Sequence, residues 1–358
     1  MRIILSGGGT GGHIYPAIAI AEALKKKDEK NEILFIGAKG KLEEKIVPEY
    51  GYNFKGINIS GFDRKKYLMN VSLPYKIFVS MLDCRKYIKD FRPDIVIGTG
   101  GYVCFPVIKT AQRLRKKNII QEGNAFPGKT VKALSVKANK VIINFNETKK
   151  YFVRKDNIVK ISHPIRMNLK LTDKTEAKKS LGLNDNKKTL FIFGGSQGAR
   201  GINEALIKNS EKLSEYNLIW QTGKMDYQNI KEKFSNIPDV KVFDFIENIS
   251  LCYSAADLVI CRSGVTTIME LAALKLPAIL VPYPFATENH QEYNAKSLEV
   301  ENAAKVILQK DLDCKLINTI KNLFKDEKEL HEMKINIEKF ADKNAAMKIA
   351  DLIYETVN

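Results

Sequence analysis

Ile3-Ile4-Leu5-Ser6-Gly7-Gly8-Gly9-Thr10-Gly11-Gly12-His13 reads as an apolar strand running into a glycine-rich turn, with an amphipathic helix to follow from about Pro16 to Lys27. Strand, turn and helix in that order make one unit of a parallel α/β fold. The same pattern restarts at Thr189. There Leu190 to Phe193 runs into Gly194-Gly195-Ser196-Gln197-Gly198-Ala199-Arg200 and a helix through Asn203 to Leu213. Around the first start, buried-strand runs stand at Ile33 to Ile36, Ile95 to Ile97, Asn118 to Gln121 and Val141 to Asn144. Around the second they stand at Leu218 to Gln221, Val240 to Phe243, Leu258 to Cys261, Ala278 to Val281 and Ala304 to Ile307. Unbroken apolar runs of this length belong to strands covered on both faces, as parallel sheets require. Two doubly wound domains follow, with His163-Pro164-Ile165-Arg166 and the polar stretch Leu171 to Asn186 as hinge and connection.

Composition narrows the function. With 44% hydrophobic and 28% charged residues over 358 positions, each half can bury its own core. The apolar start is broken at once by glycines, so neither a signal peptide nor a spanning helix is expected, and the chain should stay in the cytoplasm. Five scattered cysteines, Cys84, Cys104, Cys252, Cys261 and Cys314, have no Cys-x-x-Cys spacing, and four distant histidines form no local metal pair. The net charge of +17 favours an anionic partner. Its lysines lie in ordinary amphipathic helices with no nucleic-acid motif, so nucleic acid is not the expected one.

A glycine-rich turn between strand and helix lets the backbone approach a phosphate and aims helix N–H groups at its charge. Neither turn has the Gly-x-x-x-x-Gly-Lys-Ser/Thr pattern, which argues against ATP hydrolysis. A nicotinamide dehydrogenase is the competing class, but Gly37-Ala38-Lys39 stands where its ribose-binding acidic residue belongs. A third element is Cys261-Arg262-Ser263-Gly264-Val265-Thr266-Thr267-Ile268-Met269-Glu270, opening into a helix from Ile268 to Leu274. Its small and hydroxyl residues suit a diphosphate, and Glu270 suits ribose hydroxyls. The same residues also make an ordinary capped helix with a solvated Glu270. His13 follows the first glycine-rich turn, and because an imidazole can titrate near neutrality it is the first choice of general base. The alternative is that it only orients the turn. Asp311-Leu312-Asp313 imitates a metal-binding Asp-x-Asp, but it sits at a helix start where Asp caps.

Taken together, Gly7 to His13 with Pro16, Gly100-Gly101-Tyr102-Val103, Glu122-x-Asn124, Pro164-Ile165-Arg166, Gly194 to Arg200, Arg262-Ser263-Gly264 with Glu270, and Gln291-x-x-Asn294 closely resemble the MurG family. These enzymes transfer N-acetylglucosamine from UDP-N-acetylglucosamine to lipid I, forming lipid II in peptidoglycan synthesis. The resemblance covers nearly the whole chain in order. It implies GT-B architecture, two Rossmann-like doubly wound parallel-sheet domains facing across a cleft. Residues 1–163 would form an acceptor and membrane-facing domain, 164–340 the UDP-sugar-binding domain, and a helix at about 341–358 would return to the first. It further implies inversion at the anomeric carbon, no metal at the sugar site and no cofactor. By matching position, Ser196 would contact the diphosphate, Ile246 and Arg166 the uracil region, and Val265, Thr266, Thr267, Ile268 and Met269 the phosphates. Glu270 would hold the ribose, while Gln291, Asn124, Thr10, Gly11 and Gly12 would line the sugar site.

Three departures from the family pattern stand out: Gln121 for His, Cys104 for Ser, and His163 for Asn. They put in doubt any acid–base role for the side chains at 121 and 104. A related GT-B enzyme, such as a diacylglycerol glycosyltransferase or an epimerase, and a non-enzymatic basic membrane-binding protein remain as alternatives. A lipid acceptor requires access to the cytoplasmic face of an anionic membrane. From Arg64 to Lys89, the basic Arg64, Lys65, Lys66, Lys76, Arg85 and Lys86 accompany Tyr67, Leu68, Leu73, Tyr75, Ile77, Phe78 and Met81. That composition suits peripheral docking, which the resemblance favours by placing the lipid acceptor on this domain; the alternative is a helix whose apolar face is core.

Overall fold

The computed structural model describes residues 1–61, 67–165, 169–195 and 198–358, with the side chains of residues 67–69 left out. The chain divides into two compact units, one of Met1–Met167 with Asp342–Asn358 and one of Asn168–Ala341.

The first unit is built on seven parallel strands: β1 (Arg2–Ser6), β2 (Glu32–Ala38), β3 (Asn53–Ile57), β4 (Ile95–Gly98), β5 (Lys117–Glu122), β6 (Lys140–Ile143) and β7 (Ile158–Lys160). Their order is β3-β2-β1-β4-β5-β6-β7. Successive side chains of a strand point to opposite faces. Thus Ile3 and Leu5 join Phe35, Ile95 and Ile97 in one core, while Ile4 joins Leu34, Ile36 and Val96 in another. This burial on both faces is why these strands read as apolar runs. The outer strands β3 and β7 carry polar residues among apolar ones, Asn53-Phe54-Lys55-Gly56-Ile57 and Ile158-Val159-Lys160, and an apolar-run criterion passes over both.

The first helix spans Gly11–Lys27 with Thr10 at its N-cap, five residues earlier than the sequence suggested. Gly11, Gly12 and His13 are therefore its first turn. Pro16 lies inside and has no N–H to give to Gly12. That turn is also held from outside the helix, where Thr99 Oγ1 donates to His13 O at 2.7 Å. The last helix, Ala345–Val357, belongs to this unit: Ala345, Ile349 and Ile353 share the core of Ile14, Ala17 and Ile20. Buried Asn31 ties the two helices, donating through Nδ2 to Leu24 O at 2.7 Å and to Tyr354 Oη at 3.0 Å.

The second unit has six parallel strands: β8 (Thr189–Phe193), β9 (Asn217–Gln221), β10 (Val240–Phe243), β11 (Leu258–Cys261), β12 (Ala278–Leu280) and β13 (Lys305–Val306), in the order β10-β9-β8-β11-β12-β13. Leu190, Ile192, Leu218, Trp220, Leu258 and Ile260 form one core. Phe191 and Phe193 also pack edge-to-face against Tyr253 of the helix Ile249–Ala255, at 5.5 and 6.0 Å between ring centroids. The helix after β8 is Arg200–Lys208, and Ser210–Leu213 is a separate 3₁₀ turn. In both sheets the strand order reverses beside the first strand, between β1 and β4 and between β8 and β11. Ligands of doubly wound sheets bind outside the carboxyl ends of the strands at this reversal.

Candidate functional site

At the reversal in the second unit, β8 ends in the second glycine-rich turn and β11 ends at Arg262-Ser263-Gly264. The helix after β11 is Val265–Ala273, starting three residues before the expected Ile268, with Gly264 as its N-cap. Ile268 N–H already closes a helical bond to Gly264 O at 3.0 Å, and the side chains of Ile268 and Met269 are buried. An anion at this terminus therefore meets the first turn, Val265 to Thr267, rather than 268 or 269. Gly264 has φ −67°, and nothing lies within 4 Å of where a Cβ would stand. Neither backbone strain nor packing demands glycine there.

Glu270 is only 2% exposed, which removes the solvated reading. A buried carboxylate needs donors, and Tyr253 Oη supplies one to Oε2 at 3.1 Å. Gln291 is a brace: its Oε1 accepts from Tyr283 N–H at 2.9 Å and its main-chain oxygen from Ser263 Oγ at 2.8 Å. Arg262 donates to the carbonyls of Val281 and Pro282 and, at 2.6 Å, to Gln309 Oε1. Burial pulls its guanidinium down to about 10, still charged at neutrality.

Gln221, ending β9, carries no site signal in the sequence. Its Nε2 donates to Gly195 O at 2.9 Å and its Oε1 accepts from Ile246 N–H at 3.0 Å, so one side chain fixes the glycine-rich turn against the Ile246 segment. Any ligand contact by Ile246 therefore falls on its carbonyl or side chain. Gly198 (φ +73°) lets the turn lie on Thr222, where a Cβ would come 2.1 Å from the carbonyl oxygen. Ser196, Gln197 and Arg166 lie outside the described residues.

In the first unit, Thr10 to His13, Gly100-Gly101 and Asn124 gather at the carboxyl ends of β1, β4 and β5. His13 Nδ1 lies 3.2 Å from both Gly8 O and Thr10 Oγ1. Its ring packs on Gly100, where a Cβ would stand 2.5 Å from Cδ2. Glu122 organises the next loop: Oε1 accepts from Asn124 N and Nδ2 at 2.9 and 3.0 Å, and Oε2 from Gly128 N at 3.0 Å. Burial pushes this carboxyl up, against those hydrogen bonds.

The departures from the family pattern are structural. Cys104 Sγ is buried, donates to Ser6 O at 3.0 Å and Gly100 O at 2.9 Å, and its thiol is pushed up to about 11 by burial. Gln121 and His163 are partners, with Nε2 and Nδ1 at 2.8 Å, so the two departures meet in one buried hydrogen bond. Burial, with the neighbouring His13 charge, pushes His163 down to about 3 and keeps it neutral. His290 is held to Thr287 O at 2.7 Å and His331 is exposed. Asp311 and Asp313 bond Lys315 and Lys208 at 3.3 and 2.5 Å, an arrangement of surface pairs. Among the described residues, no group of three or more His, Cys, Asp or Glu is placed to hold a metal.

A separate surface lies on the helix Leu73–Phe91 and the turn before it. Ser80, Cys84 and Ile88 face inward, while Val71, Tyr75, Phe78 and Leu82 are exposed at 78, 72, 61 and 52%. Their spacing, 71, 75, 78 and 82, is one stripe of a helix. Leu73, Ile77 and Met81 are only half-buried and Lys76 donates to Ser60 Oγ at 3.3 Å. Arg64, Lys65, Lys66 and the side chains of Tyr67 and Leu68 lie outside the described residues. No described helix is long and apolar enough to cross a membrane.

Residues 3–143 match the glycosyltransferase family 28 N-terminal domain and residues 189–349 the glycosyltransferase family 28 C-terminal domain. A protein of Acetivibrio thermocellus, named UDP-N-acetylglucosamine--N-acetylmuramyl-(pentapeptide) pyrophosphoryl-undecaprenol N-acetylglucosamine transferase, is 40% identical, covering 99% of this chain and 97% of its own. A Finegoldia magna protein of the same name is 39% identical over 100% of this chain and 98% of its own. The crystal structure of Acinetobacter baumannii MurG matches with a TM-score of 0.79 at 27% identity, over 99% of each chain. A glycosyltransferase of Rickettsia africae, 15% identical with a TM-score of 0.68 over 99% of this chain and 98% of its own, shares the fold.

Proposed function

The chain belongs to glycosyltransferase family 28, and from that premise we infer that it transfers N-acetylglucosamine from UDP-N-acetylglucosamine to lipid I, forming lipid II in peptidoglycan synthesis. The observation that carries this reading is full-length identity of 40% to relatives bearing that activity in their names. The acceptor hydroxyl oxygen attacks the anomeric carbon from the face opposite UDP, giving inversion. The bond to the diphosphate oxygen breaks, and its electron pair leaves with UDP. Charge developing on the diphosphate is met by the first turn of the helix Val265–Ala273, a preorganised dipole. Glu270 accepts from the ribose and Gln291 borders the sugar, and in the first unit His13 takes the acceptor proton. Purified lipid I with labelled UDP-N-acetylglucosamine tests the whole assignment. Release of UDP that does not depend on lipid I would favour an epimerase or a transferase with another acceptor.

Gly264 gives a direct test of where the diphosphate binds. Because the fold does not demand glycine there, Gly264→Val should leave the melting temperature unchanged yet place two methyl groups where the diphosphate approaches. Donor affinity is expected to fall by about tenfold, the scale of one lost charge-assisted hydrogen bond. Unchanged affinity in calorimetry would move the diphosphate away from this helix.

The exposed stripe of Val71, Tyr75, Phe78 and Leu82 is the docking face for the cytoplasmic side of an anionic membrane, with exposed Arg85 and Lys86 beside it. Apolar side chains sink into the headgroup boundary, and neighbouring cations add about 1 kcal/mol each. Tyr75→Glu together with Phe78→Glu is expected to cut sedimentation with anionic vesicles at least about tenfold, since burying one such ring contributes ~1.5–3 kcal/mol. Affinity for UDP should persist. Vesicle binding that survives the double substitution would place docking elsewhere.

A further inference from the structure

Glu43, on the helix Leu42–Glu49, has no part in the roles assigned above, yet its carboxylate is fully buried at 0% exposure. Its Oε1 accepts from Ala38 N–H at 3.1 Å and its Oε2 from Gly9 N–H at 3.1 Å. Gly9 N–H shares a peptide plane with the Gly8 carbonyl, and that oxygen lies 3.2 Å from His13 Nδ1. Carboxylate, peptide group and imidazole thus stand in series. A carbonyl oxygen can only accept, so a hydrogen bond to Gly8 O places the proton of neutral His13 on Nδ1 and the lone pair on Nε2, with the Thr10 hydroxyl, also 3.2 Å from Nδ1, then accepting rather than donating.

The surrounding sequence makes room for this chain of contacts. A Cβ on Gly8 would come 2.1 Å from Glu43 Oε1, and one on Gly101 (φ +84°) 2.3 Å from Gly8 O. On the other side of the turn, Tyr102 and Cys104 are pushed upward by burial and, secondarily, by the Glu43 charge. His163, which interacts electrostatically with His13, is buried and neutral.

We propose that Glu43 is a positioning residue for His13, holding the imidazole through the Gly8–Gly9 peptide with Nδ1–H inward and strengthening Nε2 as a proton acceptor. Hydrogen bonds in series polarise one another, so a carboxylate one peptide away acts on the ring as a directly bonded one would, more weakly. The arrangement also commits the Gly9 N–H to Glu43, which withdraws it from any phosphate and sets this turn apart from the anion-binding helix start in the second unit. The inference rests on the reading of His13 as general base.

The test is nitrogen NMR of the full-length protein labelled in its histidines, joined to pH–rate profiles. In the unmodified protein, neutral His13 is expected with Nδ1 protonated. Glu43→Gln is expected to lower the His13 pKa by about half a unit or more, a fraction of the shift a directly paired charge produces. The acid limb of the turnover profile should move with it, and turnover at neutral pH should fall about twofold or more at unchanged donor affinity. An Nε2–H tautomer in the unmodified protein would overturn the proposal, even where the variant does not fold. So would a His13 pKa indifferent to Glu43→Gln. Failure of the base reading is separately visible, as full turnover in His13→Ala.

Discussion

His13→Ala is expected to lower N-acetylglucosamine transfer by ~100-fold or more while leaving UDP-N-acetylglucosamine affinity within about twofold, because a general base acts on the proton in flight and contributes on that scale. The split between turnover and binding is what distinguishes catalysis from scaffolding. His13 O accepts from Thr99 Oγ1 through the main chain, a bond that alanine keeps. The ring contacts described for the side chain are those to Gly8 O and Thr10 Oγ1 and its packing on Gly100. The substitution therefore removes a proton acceptor without unfastening the first turn of the helix. Single-turnover kinetics with saturating donor give the comparison. Turnover within a few-fold of the unmodified enzyme would return His13 to an orienting role and leave the acceptor proton to another group.

Glu270→Ala should weaken donor binding by about 1.5–3 kcal/mol, or ~10–150-fold, the value of a hydrogen bond to an ionised group in a buried site. Two effects add here: the ribose loses its acceptor, and Tyr253 Oη loses its described partner inside the core. Glu270→Gln separates them, since an amide still bonds Tyr253 and still accepts from ribose, but without the charge. Its expected affinity lies between the other two. Calorimetric titration with UDP reads all three proteins, and equal affinities would take Glu270 out of the nucleotide site.

The sequence discloses its fold wherever burial is symmetrical. Ile3-Ile4-Leu5 and Leu190 to Phe193 are apolar at every position because each face of the sheet is covered. Where a strand lies at an edge the signal fades: Lys55 and Gly56 interrupt β3, and β7 is three residues long. Candidate site residues are legible when their own type carries the chemistry, as with the glycine-rich turns or the small residues before Val265. They are not legible when they act on something distant in sequence. Glu43 meets Gly9 across 34 positions, Gln221 reaches Gly195 across 26, and Tyr253 finds Glu270 across 17. In each case the residue type alone, a glutamate on a surface-like helix or a tyrosine in a short one, carries no mark of its partner. The start of the first helix was misplaced for a related reason. Pro16 normally signals a helix beginning, but here Thr10 caps a turn made of two glycines and a histidine, types that seldom open a helix.

The final helix, Ala345–Val357, completes the core that Met1 begins. During synthesis this has a temporal consequence: the N-terminal sheet leaves the ribosome first but cannot close its hydrophobic interior until residues 345–357 emerge. The second unit, continuous from Asn168 to Ala341, has all its strands available before that moment. The order of maturation is thus the reverse of the order of translation for the part of the molecule that bears His13. In the interval, Ile14, Ala17 and Ile20 lack the side chains of Ile349 and Ile353 that cover them in the finished protein, and nascent chains exposing such surface are those that aggregate or recruit chaperones.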